Sequence, residues 1–208
     1  RQIYDIKTEK KLKSGIPILK YISDNVSQKV KAQYEEYPYP RWIDTRQHLE
    51  AKPISQYVMQ IGIRVLNKKI LKCKEPQILI AGCGTGQQAI ETAGIYKNCN
   101  VVAVDLSMKS LAYAKRKAKE LDIRNIKFMQ ADILHLTELK TKFDIIECLG
   151  VLHHMENPLN GWKVLVDCLN DHGLIKISLY SKAARKQIIR LRQEIKQKKI
   201  HNDRPSMK

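Results

Sequence analysis

The residues best suited to holding a ligand are a glycine-rich turn and an acid that follows it. The turn is Ala81-Gly82-Cys83-Gly84-Thr85-Gly86, placed after a short apolar run and before a helical pattern that begins at Gln87. Glycine permits a tight turn and close approach of a ligand, and free N–H groups at a helix start favour a carboxylate or other anion. Asp105 ends the next apolar run, where an acid can accept hydrogen bonds from both hydroxyls of a ribose. This arrangement predicts a nucleotide-binding site.

The glycine spacing bears on which nucleotide is bound. A dinucleotide fingerprint G-x-G-x-x-G needs glycine at the position of Gln87, although Gly84, Gly86 and Ala89 satisfy the looser G-x-G-x-x-A form. The looser form begins only at Gly84, the second glycine of the turn. The tighter G-x-G-x-G spacing therefore favours an adenosyl ligand without a pyrophosphate.

A histidine pair, His153 and His154, is the candidate for proton transfer. Histidine is the usual general base near neutral pH, and the pair follows the fourth predicted strand. The alternative is that one of them caps or packs the loop before Pro158. Adjacent side chains are expected to diverge and no third ligand has suitable spacing, so no metal site is predicted.

The cysteines point to core packing, not to metal or disulfide chemistry. The five cysteines are scattered and never form C-x-x-C, so neither a disulfide framework nor a zinc site is indicated. Cys83 is interpreted as a small filler between glycines and Cys148 as a core residue.

Short apolar runs alternate with helical patterns from Gln77 onwards, which predicts the fold class. The predicted strands are 78–81, 101–104, 126–129, 143–148 and 173–179. Helices are predicted between them, one opening at Ser107, a good N-cap residue. Strands separated by helices indicate right-handed βαβ units, and hence an α/β, Rossmann-like, doubly wound and mostly parallel sheet.

Residues 1–52 differ from this core and are predicted to form an N-terminal extension or lid, with the core spanning 53–208. A helix after Pro53 is predicted to carry one apolar stripe: Tyr57, Val58, Ile61 and Val65. The prolines of segment 37–42 exclude a helix there. The polar and aromatic residues of this region either close over the ligand and select the acceptor or anchor the loop; they are Tyr34, Tyr37, Arg41 and Trp42.

Composition sets the remaining expectations. The formal net charge is +17 over 208 residues, which either attracts a polyanion such as RNA or reflects lysines spread over solvated helix faces. The stretch 182–199 concentrates basic residues on a helical pattern. No apolar run reaches the length of a membrane span and no signal peptide is recognisable, so a cytoplasmic protein without membrane contact is expected.

Four motifs in order resemble the cofactor motifs of class I S-adenosylmethionine-dependent methyltransferases: 78–86, 101–107, 129–133 and 143–155. The resemblance covers about residues 34–185. Segment 33–42 is similar to one that precedes the methyltransferase core in a bacterial subgroup often linked to tetratricopeptide repeats.

The resemblance implies a cofactor, S-adenosyl-L-methionine, a product, S-adenosyl-L-homocysteine, and a role for each matched residue. Glycines of the turn would line the methionine moiety and Asp105 would hold the ribose. Asp132 would accept the adenine amino group while Ile133 packs on the ring. The residues implied to surround the cofactor are Gly82, Cys83, Gly84, Thr85, Gly86, Gln87, Asp105, Leu106, Ser107, Ala131, Asp132, Ile133, and, bordering the methyl group, Leu149 and Gly150.

Two departures from the family pattern keep alternatives open. Many members have an acid two residues before the first glycine, where this chain has Ile80, so the amino group of the cofactor must find backbone carbonyls or another acid. The C-terminal β-hairpin of the family is not recognisable after Leu179, which suggests C-terminal truncation. The sequence predicts a methyltransferase for a small-molecule or protein acceptor; an RNA methyltransferase and a non-catalytic cofactor-binding or interaction domain are the alternatives.

Overall fold

A five-stranded parallel sheet forms the centre of the chain. The computed structural model describes residues 2–44, 50–181 and 183–198. Neighbouring strands pair in the order β3-β2-β1-β4-β5, and every pair is parallel. The strands are β1 Gln77–Ala81, β2 Asn100–Asp105, β3 Ile126–Gln130, β4 Phe143–Leu149 and β5 Leu169–Ser178. The predicted Rossmann-like α/β fold is confirmed.

The inner strands β1 and β2 are almost continuously apolar because both faces of the sheet are covered there. Ile78 and Ile80 of β1 point into one buried cluster, while Leu79 and Ala81 point into the other. This alternation follows from the two-residue repeat of a strand. The core therefore lies in two layers, one on each side of the sheet.

Three helices connect the strands and cover the sheet: α4 Gln87–Ile95, α5 Met108–Glu120 and α6 Pro158–Asp167. The N-cap predicted at Ser107 is present, since its Oγ accepts from Ser110 N at 3.1 Å. Asn157 Oδ1 caps α6 by accepting from Leu159 N at 3.0 Å, with Pro158 at the first helical position. These caps fix where each helix leaves the sheet.

The N-terminal region packs against the core through two helices, α1 Gln2–Lys13 and α2 Asn25–Glu36. Arg116 of α5 holds α1 by an ion pair with Glu9 at 2.9 Å. Between the helices, Ile18 forms a parallel bridge with Gln130 at the outer edge of β3. The segment thus extends the sheet by one short bridge.

Two predicted elements have different bounds in the structure. The helix after Pro53, α3 Ile54–Gln60, is shorter than predicted, because Gly62 adopts a φ of +69° and the chain leaves the helix. Ile61 is 45% exposed and Val65 lies beyond the helix, so the predicted four-residue stripe is wrong. Strand β5 begins at Leu169, four residues earlier than predicted, and a register shift between Phe143 and Ile145 of β4 accommodates the extra residues.

The described residues up to Ser178 form one compact unit, and those from Leu179 onward form a second. The second unit contains α7 Lys186–Gln197, which lies within the predicted basic helical stretch. Among the described residues after Ser178 there is no strand. Within the described ranges, no helix is both long and apolar enough to cross a membrane. The proposed division at residue 52 stays a prediction.

Candidate functional site

The candidate site lies where the carboxyl ends of the strands meet. Strand β1 has β2 on one side and β4 on the other. The connection leaving β1 towards β2 and the connection leaving β4 towards β5 therefore run in opposite directions. Ligands of doubly wound sheets bind in the crevice at such a topological switch point. The glycine turn follows β1, Asp105 ends β2, Asp132 follows β3 and Gly150 follows β4.

The turn after β1 has a backbone that only glycine adopts readily. Gly82, Gly84 and Gly86 have φ values of +76°, +52° and +86°. A Cβ at Gly82 would lie 2.4 Å from Val151 Cγ2, and one at Gly86 would lie 2.4 Å from Ala114 Cβ. At Gly84 the nearest atom is Tyr39 O at 3.4 Å. Two of the glycines are therefore required by packing as well as by conformation.

The carboxylate of Asp105 faces the glycine turn. Its Oδ2 accepts from Gly84 N at 2.8 Å, and its Oδ1 accepts from Ser107 N at 2.8 Å. Burial raises the pKa of Asp105, the two N–H donors oppose that rise, and the nearby charge of Glu35 adds to it. The turn and the acid, separate in sequence, form one connected unit.

Asp132 presents an unsatisfied acceptor beside this unit. Its Oδ1 caps the 3₁₀ helix Ile133–Leu139 by accepting from Leu134 N at 3.0 Å. Its Oδ2 is buried and has no hydrogen-bond partner among the described residues. Ala131 N donates to Asp105 O at 3.1 Å, which ties the ends of β2 and β3 together. A buried carboxylate oxygen without a donor costs free energy, so a ligand N–H at this point would stabilise the site.

The loop after β4 brings the two histidines to the same end of the sheet. His153 and His154 lie in the 3₁₀ helix Leu152–His154, with ring centroids 4.3 Å apart and planes tilted by 46°. The expectation that their side chains diverge is therefore wrong. Even so, the described residues contain no cluster of three or more His, Cys, Asp or Glu that could hold a metal ion.

The two histidines differ in their access to solvent. Both ring nitrogens of His153 are buried, which favours the packing interpretation for this residue. His154 is exposed, and its ring meets Tyr34 edge-on at 6.2 Å between centroids. Of the pair, His154 is the more exposed residue. Gly150, with a φ of +71°, precedes them, and Leu149 beside it is half-buried.

Segment 37–42 lies against the glycine turn. Trp42 is buried; its Nε1 donates to Thr85 O at 3.0 Å, and its ring packs edge-on against Tyr113. Thr85 Oγ1 donates in return to Pro40 O. These contacts favour the anchoring interpretation for Trp42. Tyr37 and Arg41 are exposed.

A further contact between the extension and the site had no signal in the sequence. Glu35 Oε1, near the end of α2, accepts from Lys109 N at 2.9 Å and lies 3.3 Å from Ser107 Oγ. Ser107 Oγ also donates to Tyr34 O at 3.1 Å. Residues of the extension thus cap the N-terminus of α5, and the buried Ser107 hydroxyl contacts both Tyr34 O and Glu35 Oε1.

Several implied cofactor neighbours make contacts within the protein. Cys83 is buried, and burial raises the pKa of its thiol well above the usual range, as expected for a filler and not for a nucleophile. Gln87 Nε2 donates to Glu91 Oε1 at 3.2 Å along α4. Leu106 is half-buried and its carbonyl accepts from Gln130 Nε2 at 2.7 Å.

A doubly wound parallel sheet with a glycine turn after β1 and acids at the ends of β2 and β3 has the architecture of class I methyltransferases. Residues 78–173 match the family model described as Methyltransferase domain. The chain therefore carries a class I methyltransferase domain.

Individual relatives and solved structures match parts of this chain. The protein syc1184_c of Synechococcus is 29% identical over 177 residues, covering 83% of this chain and 41% of that protein. The (S)-coclaurine N-methyltransferase of Papaver somniferum is 33% identical over 98 residues, 47% of this chain and 28% of that enzyme. The structure of PKMT2 from Rickettsia typhi in complex with AdoHcy superposes with a TM-score of 0.52 at 26% identity, over 66% of this chain and 26% of that one. The chain thus spans less than half of each of these relatives.

Proposed function

We propose that this chain binds S-adenosylmethionine and transfers its methyl group to a small-molecule or protein acceptor. The observation that carries the proposal is the connected set of groups at the strand ends. The turn and Asp105 are joined by the Gly84 N–H bond, and Asp132 Oδ2 lies buried without a donor beside them. A nucleoside that bears hydroxyls and an exocyclic amino group matches these acceptors.

The residues present fit the cofactor part by part. The methionyl portion would lie along Gly82, Gly84 and Gly86, with its carboxylate towards the free N–H groups at the start of α4. Asp105 would accept from the ribose hydroxyls, since each carboxylate oxygen retains a second lone pair beyond its backbone donor. Asp132 Oδ2 would accept from the adenine amino group, with Ile133 against the ring.

The bound cofactor would supply an activated methyl group on a sulfonium. The protein then needs chiefly to align an acceptor with that group and to keep the site closed to water. Leu149 and Gly150 would border the methyl group, and His154 would accept a proton from the acceptor. Tyr34, which contacts the His154 ring, and the exposed Tyr37 and Arg41 would form the acceptor side of the site.

The relatives support this chemistry from two directions. One is named as an N-methyltransferase of the small molecule (S)-coclaurine, and PKMT2 was crystallised with AdoHcy. The first name supports a small-molecule acceptor and the second supports the cofactor, and a protein acceptor stays in the proposal as the alternative.

Titration calorimetry with S-adenosylmethionine and S-adenosylhomocysteine tests the proposal. Wild-type protein should bind both, and Asp132→Asn should bind more weakly, because one acceptor of the amino group is replaced by a donor. Asp122→Asn is the matched control, since that carboxylate is exposed and pairs only with Arg124 among the contacts found for it. A silent titration of folded wild-type protein would refute cofactor binding and leave a scaffold role.

RNA is a second acceptor class that one observation favours. The net charge of +17 includes four basic residues on α7 against one acid: Lys186, Arg190, Arg192 and Lys196 against Glu194. Binding of a short RNA that weakens steeply with added salt would support this alternative. Absence of binding at low salt would exclude it.

A further inference from the structure

Strand β4 carries a buried carboxylate that the proposed cofactor contacts do not use. Glu147 is 6% exposed and lies on the face of the sheet covered by α4. Its Oε2 accepts from Gln88 Nε2 at 2.6 Å and from Thr92 Oγ1 at 3.0 Å. Gln88 and Thr92 are one turn apart on α4. A single carboxylate oxygen thus holds two successive turns of this helix to the sheet.

The position of Glu147 relates it directly to the glycine turn. Its neighbour in β1 is Ile80, two residues before Gly82, and Ile80 is fully buried in the apolar cluster beneath α4. Position 80 therefore offers no polar group to this face. The acid that the family resemblance places on β1 is missing, and a carboxylate stands instead on the adjacent strand.

Few other charged or titratable groups face Glu147. Lys176 of β5 brings its Nζ to 3.8 Å from Oε1, although most of that side chain is exposed. Tyr96, just after α4, is close enough that the Glu147 charge adds to the effect of burial in raising the pKa of its hydroxyl.

A buried carboxylate with good donors selects one arrangement of the elements around it, whereas apolar packing alone tolerates sliding.

We propose that Glu147 is a positioning residue for the cofactor site. Gln88 lies in the first turn of α4, where the backbone N–H groups have no acceptor within the helix. By holding the Gln88 side chain, Glu147 fixes the direction in which these N–H groups point. The inference rests on the proposed function, because those N–H groups are the ones assigned to the methionyl carboxylate.

Asp144 provides a matched control on the same strand. It is buried to a similar degree, and it accepts from Gln77 N at 2.9 Å and from Asn170 Nδ2 at 2.8 Å. It lies at the start of β4, at the opposite end of the sheet from the glycine turn. Loss of its charge should affect stability without affecting the cofactor site.

The experiment measures S-adenosylhomocysteine affinity by calorimetry and, without ligand, amide hydrogen exchange at Ile90, whose N–H donates to Gly86 O at 3.0 Å across the first turn of α4. Glu147→Ala should raise Kd by about tenfold, as expected for a lost hydrogen bond to a charged group, and should speed exchange at Ile90. Glu147→Gln keeps an acceptor oxygen and should stay within about threefold of wild type. Asp144→Asn should leave both readouts unchanged even where it lowers Tm.

A second variant covers the case in which Glu147→Ala does not fold. Gln88→Met removes the donor from the helix side and should raise both Kd and the exchange rate. Wild-type affinity and exchange in Glu147→Ala, or in Gln88→Met, would overturn the positioning role while leaving the proposed function intact. A wild-type protein that does not bind S-adenosylhomocysteine would overturn both.

Discussion

Replacing Gly86 by alanine is expected to destabilise the protein more than the same change at Gly84. Both glycines have positive φ, so alanine at either position incurs about 1–2 kcal/mol of backbone strain. The two sites differ in space. A Cβ at Gly86 would lie 2.4 Å from Ala114 Cβ, whereas one at Gly84 meets nothing closer than Tyr39 O at 3.4 Å.

The crowding at Gly86 adds a second contribution. Ala114 is fully buried on α5, and Gly86 is the N-cap residue of α4. The start of α4 and helix α5 must therefore move apart to admit the extra carbon. Overpacking of this kind costs about 1–3 kcal/mol, which gives a total of about 2–5 kcal/mol at Gly86 against about 1–2 kcal/mol at Gly84. Urea denaturation at constant m-value measures both losses.

A compensating substitution separates crowding from strain. Ala114→Gly alone should cost about 1 kcal/mol of helix propensity. Combined with Gly86→Ala, it removes the Cβ contact, so the double variant should be more stable than the sum of the single effects by about 1–2 kcal/mol. Strict additivity of the two changes, or equal losses for alanine at positions 84 and 86, would refute the reasoning.

Three further predictions concern Asp105, Trp42 and the buried Cys148. Because burial raises the pKa of Asp105, its carboxylate gains a proton as pH falls through that raised pKa, and affinity for S-adenosylhomocysteine should weaken there. Asp105→Asn should bind weakly at every pH. Calorimetry across pH checks this, and identical pH profiles for wild type and Asp105→Asn would contradict it. Trp42→Phe removes the Nε1 donor to Thr85 O and should lower the free energy of unfolding by about 1 kcal/mol in urea, with no loss counting against the anchoring role. Burial raises the pKa of Cys148 to about 12, so an alkylating reagent at mildly alkaline pH should modify it only after unfolding, as peptide mass mapping would show.

Much of the sheet and its caps followed from the sequence because local signals and packing agree there. The apolar runs of β1 and β4 are buried on both faces, and Ser107 and Pro158 begin their helices as predicted. Strand β5 was predicted too short, because Asn170 to Gly173 is polar and glycine-containing and gains its place only through pairing with β4. The helix after Pro53 was predicted too long, although Gly62 carried the signal for its end.

The site likewise contains contacts that the sequence could predict and contacts that it could not. The glycine turn and Asp105 could be predicted to meet, since parallel strands deliver their carboxyl ends to one edge, and the structure joins them. The Glu35 contact with α5 and the Glu147 contact with Gln88 link residues far apart in sequence, and no local pattern marks either pair. Tertiary hydrogen bonds of this kind require the packed fold before they can be seen.

The bridge between Ile18 and Gln130 makes the two margins of the sheet unlike. Along the outer side of β3, backbone groups of the N-terminal segment already occupy part of the hydrogen-bonding row: Gln130 N donates to Pro17 O and Leu19 N to Gln130 O, each at 2.9 Å. Strand β5 has no neighbour on its outer side among the described residues. Among the described residues, an additional strand from this polypeptide or another molecule would therefore meet an unoccupied hydrogen-bonding edge at β5 and a partly occupied one at β3.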